Sequence, residues 1–244
     1  MTLISFSAFR TIFIAASLSS VTLVSHGQES QKTEPDTFGQ CIERLQQQAR
    51  NAGVSENTTV DILGQVKPLP KILDYDRNQP EFVQTFTGYF SKRVTDWREH
   101  REFLSKLTQQ YGVPAHYLIA FWGLETNFGG YKGKIPTIAA LTTLACDQRR
   151  SVYFSEELMQ ALLLLERENL DHKAMIGSWA GAMGHTQFMP TAYMKYAKDG
   201  DADGKVDLWN NELDALASAA NFLQNLGWQT GFKWGREVLL PEDF

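Results

Sequence analysis

The chain has 244 residues, 43% of them hydrophobic, enough to bury a core as one large domain or two small ones. Its formal net charge is −5 and no block of Lys or Arg appears, which argues against nucleic-acid binding. His26, His100, His116, His172 and His185 are scattered, and the chain has no HExxH helix, no Gly-rich phosphate loop and no nucleophile elbow, so hydrolysis of peptides or phosphates is disfavoured.

Residues 1–27 hold one charge, Arg10, ahead of an apolar run at 11–24 that is too short to span a bilayer comfortably. Ser25-His26-Gly27 then offers small residues at −3 and −1 before Gln28. This is the pattern of a secretory signal peptide, with an uncleaved N-terminal anchor as the other reading. No later segment is long and apolar enough to cross a membrane. The mature chain is expected to be exported and soluble, and the loss of Arg10 moves its net charge from −5 to −6. Residues 28–37 are polar, contain Pro35 and read as a flexible lead-in. Cys41 and Cys146, both in the mature part, allow one disulfide in an oxidising compartment or two buried thiols.

Phe38, Cys41, Ile42, Leu45 and Ala49 recur at helical spacing until Gly53. A short helix is expected from Ser55 to near Gly64, then an extended Lys67-Pro68-Leu69-Pro70. Pro80 opens a helix with the stripe Phe82, Val83, Phe86, Phe90 and Val94. An amphipathic segment at 95–111 buries Phe103, Leu104 and Leu107; Gly112 ends it and Pro114 begins the next helix. Further helices are predicted at 138–145, at 152–166 with Ser151 as cap, and at 214–226 with Gly227 at the C-terminus. Neither β-alternation of useful length nor an internal repeat is visible. The pattern predicts a mainly α, multi-helix domain with long irregular loops.

Residues 118–129 carry the sharpest chemical signal. A run apolar on every side, expected to be buried all round, ends in Glu125 and breaks into Thr126-Asn127-Phe128-Gly129. Desolvation there raises a carboxyl pKa and suits Glu125 to general-acid work; the plainer reading is a Glu marking the solvent end of a core helix. Ordinary glycosidases use two carboxylates. A second is not obvious here, which points to a substrate that supplies its own nucleophile. Residues 177–190 interleave Gly177, Gly181 and Gly184 with small residues, letting either a polymer or a neighbouring helix approach closely. In that segment Gln187 offers donor and acceptor to sugar groups, and Phe188 a stacking face. Asp199, Asp201 and Asp203 followed by Gly204 match the opening of an EF-hand loop, with Asp207 at relative position 9 and Asn210 where the bidentate Glu belongs.

Six stretches then fall in a fixed order: Gln79-Pro80-Glu81-Phe82, Tyr111-Gly112-Val113-Pro114, Gly123-Leu124-Glu125-Thr126-Asn127-Phe128-Gly129, Arg149-Arg150-Ser151-Val152-Tyr153-Phe154, Gly181-Ala182-Met183-Gly184-His185-Thr186-Gln187-Phe188-Met189-Pro190 and Asp203-Gly204-Lys205-Val206-Asp207-Leu208-Trp209. Together they resemble the lytic murein transglycosylases of the membrane-bound B type, within the lysozyme-like superfamily. The resemblance covers nearly all of residues 38–234. It implies a lysozyme-like fold at 38–244 and cleavage of the MurNAc-β-1,4-GlcNAc bond without water, leaving 1,6-anhydromuramic acid ends. Glu125 aligns with the single catalytic residue, acid then base. Ser178, Gln187, Phe188 and Tyr153 look like glycan-binding residues. Asp199, Asp201, Asp203, the Lys205 carbonyl and Asp214 look like ligands of a structural Ca2+ in an EF-hand-like loop at 199–214; no cofactor is implied for catalysis. The implied partners are peptidoglycan glycan strands and proteins of cell-wall synthesis or turnover, the implied state a monomer. With no lipid-attachment cysteine after the signal peptide, the periplasm is the expected location. Family members carry a longer C-terminal part with an Asn-Tyr-type motif, and the chain stops at Phe244 without it.

Overall fold

The computed structural model describes residues 37–78, 100–233, 235 and 238–241. The expected signal peptide, the residues up to 36 and the helix predicted at Pro80 lie outside them. The described residues fall in one unit, Asp36–Phe244.

Helix α1 (Phe38–Asn51) begins with a reciprocal cap, Thr37 and Gln40 each satisfying the other's backbone N–H, and buries Cys41, Ile42, Leu45 and Ala49 as the spacing predicts. A π turn (Thr58–Ile62) and a 3-10 turn (Leu63–Gln65) occupy the place of the second predicted helix. Pro70 then opens α2 (Pro70–Asn78), a helix the extended reading of 67–70 had not foreseen. Proline is tolerated there because a first-turn N–H has no intrahelical partner. Helix α3 (Arg101–Tyr111) stops at Gly112, whose φ of +72° provides the left-handed cap. Next come α4 (Ala115–Thr126), α5 (Thr137–Ala145), α6 (Ser151–Arg167), α7 (Pro190–Tyr196) and α8 (Glu212–Asn225). Ser151 does not cap α6: it is the first helical residue, and its hydroxyl donates to Ala145 O across the α5–α6 corner at 2.6 Å. Two residues each of β1 (Ile135–Pro136) and β2 (Ile176–Gly177) pair antiparallel, too short to leave an alternation in the sequence.

Two apolar clusters organise these elements. The larger gathers α1, α2, α5, α6 and α7 around Leu45, Leu141, Phe154, Leu158, Leu162 and Tyr193. The smaller gathers α3 and α4 around Leu104, Leu107, Leu118 and Trp122. Helix α8 serves both, giving Ala215 to the first and Leu216, Ala217, Ala219 and Ala220 to the second. The corner between α5 and α6 is held to the N-terminal helices by a Cys41–Cys146 disulfide. Arg149 and Arg150 also grip the buried Asp76 of α2 there, and Arg77 meets Asp147. Glu125, at the end of α4, belongs to the smaller cluster's side of the molecule. Met183 and Phe188, in the glycine-rich segment, belong to the larger.

Candidate active site

Helix α4 is not buried on every side. Leu118, Trp122, Gly123 and Thr126 face the core, whereas Ala120, Leu124 (53% exposed) and Glu125 reach solvent. An apolar residue left outside next to an acid is what a groove for a partly apolar ligand requires. Glu125 keeps access to water, yet enough protein surrounds it that desolvation raises its carboxyl pKa above the ordinary glutamate value. It makes no hydrogen bond or ion pair among the described residues.

The buried carboxylates behave differently. Asp76 is held by the two arginines. Glu157 accepts from Thr191 N at 2.9 Å and Thr191 Oγ1 at 2.7 Å, capping α7. Asp214 accepts from Gly200 N and Asp207 N, both at 2.7 Å. Each is committed to structure, whereas Glu125 combines a raised pKa with no hydrogen-bond or ion-pair partner among the described residues.

Beyond Glu125 the backbone turns left-handed at Asn127 (φ 53°), Phe128 (φ 58°) and Gly129 (φ 77°). This reversal carries the chain over the glycine-rich segment, and specific bonds fasten the two. Thr126 Oγ1 donates to His185 O at 2.7 Å, and Trp122 Nε1 donates to His185 Nδ1 at 3.0 Å. Gln187 Nε2 donates to Gly184 O at 2.9 Å and to Lys132 O at 3.3 Å. A β-carbon on Gly133 would stand 1.9 Å from Gly177 O, so the loop after Glu125 rests directly against 177–178. Glycine is required there for close approach of two backbones. Within the segment, Ser178 N donates to Ala182 O and Ala182 N to Ser178 Oγ, while Met183 and Phe188 pair as an isolated bridge.

Among the predicted glycan residues, Ser178 and Gln187 therefore lie in the segment fastened to the Glu125 turn. Gln187, at φ +50°, keeps its Oε1 free of protein donors among the described residues. A strained non-glycine backbone of this kind often marks a functional position. Phe188 does not offer a stacking face. Its ring is 3% exposed, lies in the larger core with its centroid 5.3 Å from that of Phe222, and its backbone is spent on the bridge to Met183. The apolar area of the ring, buried in the core, outweighs the openness that a Gly-rich motif suggests. Tyr153 stands 44% exposed on the first turn of α6, its hydroxyl pKa raised by desolvation and by Glu157. No hydrogen bond joins it to 125–134 or 177–187 among the described residues. Trp122, Thr126, Lys132 and His185 tie the Glu125 turn to the glycine-rich segment, a set of contacts that the order of the motifs alone does not reveal. A Trp and a Thr flanking the acid at −3 and +1 were the available signal.

Asp199, Asp201 and Asp203 bring one carboxylate oxygen each to within 4.8 Å of the others, all exposed. Their oxygens accept from the loop's own N–H groups, Ala202, Asp203, Gly204 and Lys205. The Lys205 carbonyl accepts no bond among the described residues. Clustered hard oxygen donors fit a Ca2+ ion better than a transition metal. Asp214 stands outside this cluster. It is 1% exposed, and both its oxygens hold the ends of the loop. From the first turn of α8 it braces the loop, and Asp199 and Asp201 are close enough to raise its carboxyl pKa further after burial has done so.

A mainly helical domain in which a single unpartnered acid ends a core helix, its last turn bonded to a glycine-rich segment, is of the lysozyme-like class. The chain belongs to the transglycosylase SLT domain family, whose profile matches residues 37–244. It is 40% identical over 139 residues to the membrane-bound lytic murein transglycosylase B of Escherichia coli (strain K12), spanning 57% of this chain and 38% of that protein. SltB3 of Pseudomonas aeruginosa, solved in complex with NAG-NAM-pentapeptide and with NAG-anhNAM-pentapeptide, superposes with a TM-score of 0.74 and 38% identity, over 86% of this chain and 58% of that one. The E. coli lytic transglycosylase Slt35 in complex with calcium gives a TM-score of 0.70 and 33% identity, over 79% of this chain and 65% of that one. The chain thus spans less than two thirds of the length of each of these relatives.

Proposed function

We propose that this chain is a peptidoglycan lytic transglycosylase that cleaves the MurNAc-β-1,4-GlcNAc bond and leaves 1,6-anhydromuramic acid ends. The observation that carries the reading is Glu125, a desolvated carboxyl with no protein partner among the described residues, while the buried carboxylates are bound into structure. Family membership and the complexes of SltB3 with NAG-NAM- and NAG-anhNAM-pentapeptide support it.

In the proposed reaction Glu125, protonated, gives its proton to the glycosidic oxygen as the C1–O bond breaks. The resulting carboxylate takes the proton of the muramoyl 6-hydroxyl, whose oxygen closes onto C1. One bond is broken and one formed, Glu125 ends protonated, and water is not consumed. The substrate's own hydroxyl does the work of the second carboxylate of an ordinary glycosidase. Ser178 and Gln187 are placed to hold the sugar through hydrogen bonds, and Tyr153 to line the strand further along.

Asp199, Asp201, Asp203, the Lys205 carbonyl and Asp214 would hold a Ca2+ ion, whose role is to pin the loop. The calcium complex of Slt35 supports this. Residues 1–27 are proposed as the export signal and 38–244 as the transglycosylase domain, working on glycan strands in the periplasm as a monomer, beside proteins of cell-wall synthesis or turnover. No helix among the described residues is long and apolar enough to cross a membrane.

Digestion of purified sacculi followed by mass spectrometry tests the reaction. Anhydro-muropeptides are expected from the wild type and are to be absent with Glu125→Gln. Reducing-end muramic acid would replace the lyase by a muramidase, and binding without cleavage would leave a peptidoglycan-binding protein.

A further inference from the structure

His185 is a buried histidine, 7% exposed, with no place in the proton transfers above. Its bonds connect it to the acid from two sides. Trp122, one turn before Glu125, donates its indole N–H to Nδ1 at 3.0 Å, and Thr126, the residue after Glu125, donates its hydroxyl to the carbonyl at 2.7 Å. Ring and carbonyl of a single residue thereby fix both the rotation and the height of the last turn of α4. Gly129 packs directly against the ring: a β-carbon there would lie 2.3 Å from its Cε1, and Gly129 N is tied to Thr126 Oγ1 at 3.0 Å. The His185 backbone N–H donates to Leu208 O at 2.8 Å, anchoring it to the larger core. Two residues on, Gln187 reaches back to Lys132 O.

The ring must be neutral for this arrangement. An indole only donates, so Nδ1 accepts and the hydrogen sits on Nε2, where the 3.4 Å approach of Lys132 Nζ is a contact between two donors and not a hydrogen bond. Protonation would remove that acceptor and set a cation 3.4 Å from Lys132 Nζ. Burial and Lys132 hold the imidazole pKa down to about 4, which keeps the acceptor available.

Resting on the transglycosylase reading, we propose that His185 is a positioning residue. Through Trp122 and Thr126 it holds the Glu125 carboxyl, on the smaller core, in register with the sugar-binding Gln187 turn on the larger. A general acid displaced by about 1 Å loses roughly 10²-fold in rate, and loss of a group that orients a catalytic residue costs about 10–100-fold.

The test is steady-state cleavage of a soluble GlcNAc–MurNAc tetrasaccharide, well below the thermal midpoint of each variant. His185→Leu fills the space without an acceptor and is expected to lower kcat about 10–100-fold with KM changed less than about twofold. His185→Asn places Oδ1 near the position of Nδ1 and should recover most of kcat. Trp122→Phe, which removes the N–H, should match His185→Leu, and the double variant should be no slower than either single one. Should His185→Leu fail to fold, Trp122→Phe with His185→Asn decides. Folded variants with wild-type kcat, or losses confined to KM, or an Asn variant no better than Leu, would overturn the positioning role. A wild type that releases no anhydro product would instead overturn the function on which it rests.

Discussion

At the scale of the residue, the consequential contrast is between Glu125 and His185, two titratable groups whose pKa values are pushed in opposite directions by the same loss of water. Glu125 is raised, so it retains its proton above the ordinary glutamate value of about 4.3. Activity that needs the acid form is therefore expected to fall as pH rises through the folded-state pKa, an alkaline limb visible in kcat/KM and absent from Glu125→Gln, which should lose at least about 10²-fold in rate. A raised carboxyl also stabilises the fold only while protonated: the contribution is whole below about pH 4 and is lost as pH rises through the folded pKa. Glu125→Gln should thus be more stable than wild type at neutral pH and level with it in acid, measured by urea unfolding.

His185 runs the other way. Its folded pKa of about 4 lies below the model-peptide value of about 6.5, so its contribution is full above 6.5 and is lost as pH falls through 4. The wild type should lose on the order of 3 kcal/mol across that window from this ring, and His185→Asn should show a flatter acid limb. The acid was legible in the sequence because an apolar run ending in one carboxylate is a local pattern. The histidine was not, because its meaning depends on Trp122, 63 residues away, and no spacing rule links the two. Phe188 misled for the same reason. A ring in a glycine-rich motif looks available until the fold shows which side of the turn faces the core.

At the scale of the element, helix patterning located α1, α4, α5, α6 and α8 and the C-terminal end of α3 to within a few residues, since each carries a run or stripe of apolar residues, and α1, α3 and α8 stop at or beside a glycine. In α2 the buried positions are Ile72 and Asp76, so a carboxylate stands where an apolar stripe would continue, and the paired residues of β1 and β2 are too few to alternate. The disulfide could be allowed by composition but not located by it. Cys41 and Cys146 are 105 residues apart in sequence, so their bridge closes a long loop and restricts the unfolded chain strongly. Replacing both by alanine is expected to cost about 2–5 kcal/mol in denaturant unfolding, with kcat at low temperature largely retained. The acidic loop makes its own prediction. Asp199, Asp201 and Asp203 share a small volume, and a bound cation would relieve their repulsion. Ca2+ at a hundredfold excess over Kd should raise the thermal midpoint on the order of 5–10 °C, and Asp201→Ala should abolish the shift. Asp214→Ala should lower the midpoint with or without the ion, because it strips acceptors from the N–H groups of Gly200 and Asp207.

At the scale of the whole molecule, the candidate site is a seam. The acid rides on one apolar cluster and the turn proposed to bind sugar on the other, and the bonds of Trp122, Thr126 and Gln187 cross between them. Such a seam would ordinarily let the halves open separately. Helix α8 prevents that, since its buried alanines are shared between both clusters and neither core is complete without it. The amides of residues 215–220 should therefore exchange with deuterium only when the entire unit unfolds, and their protection should equal the global unfolding free energy. Slow exchange there, with no earlier release of either cluster, would mark the two cores as one cooperative unit: a molecule that keeps its catalytic seam closed by making it impossible to melt one side at a time.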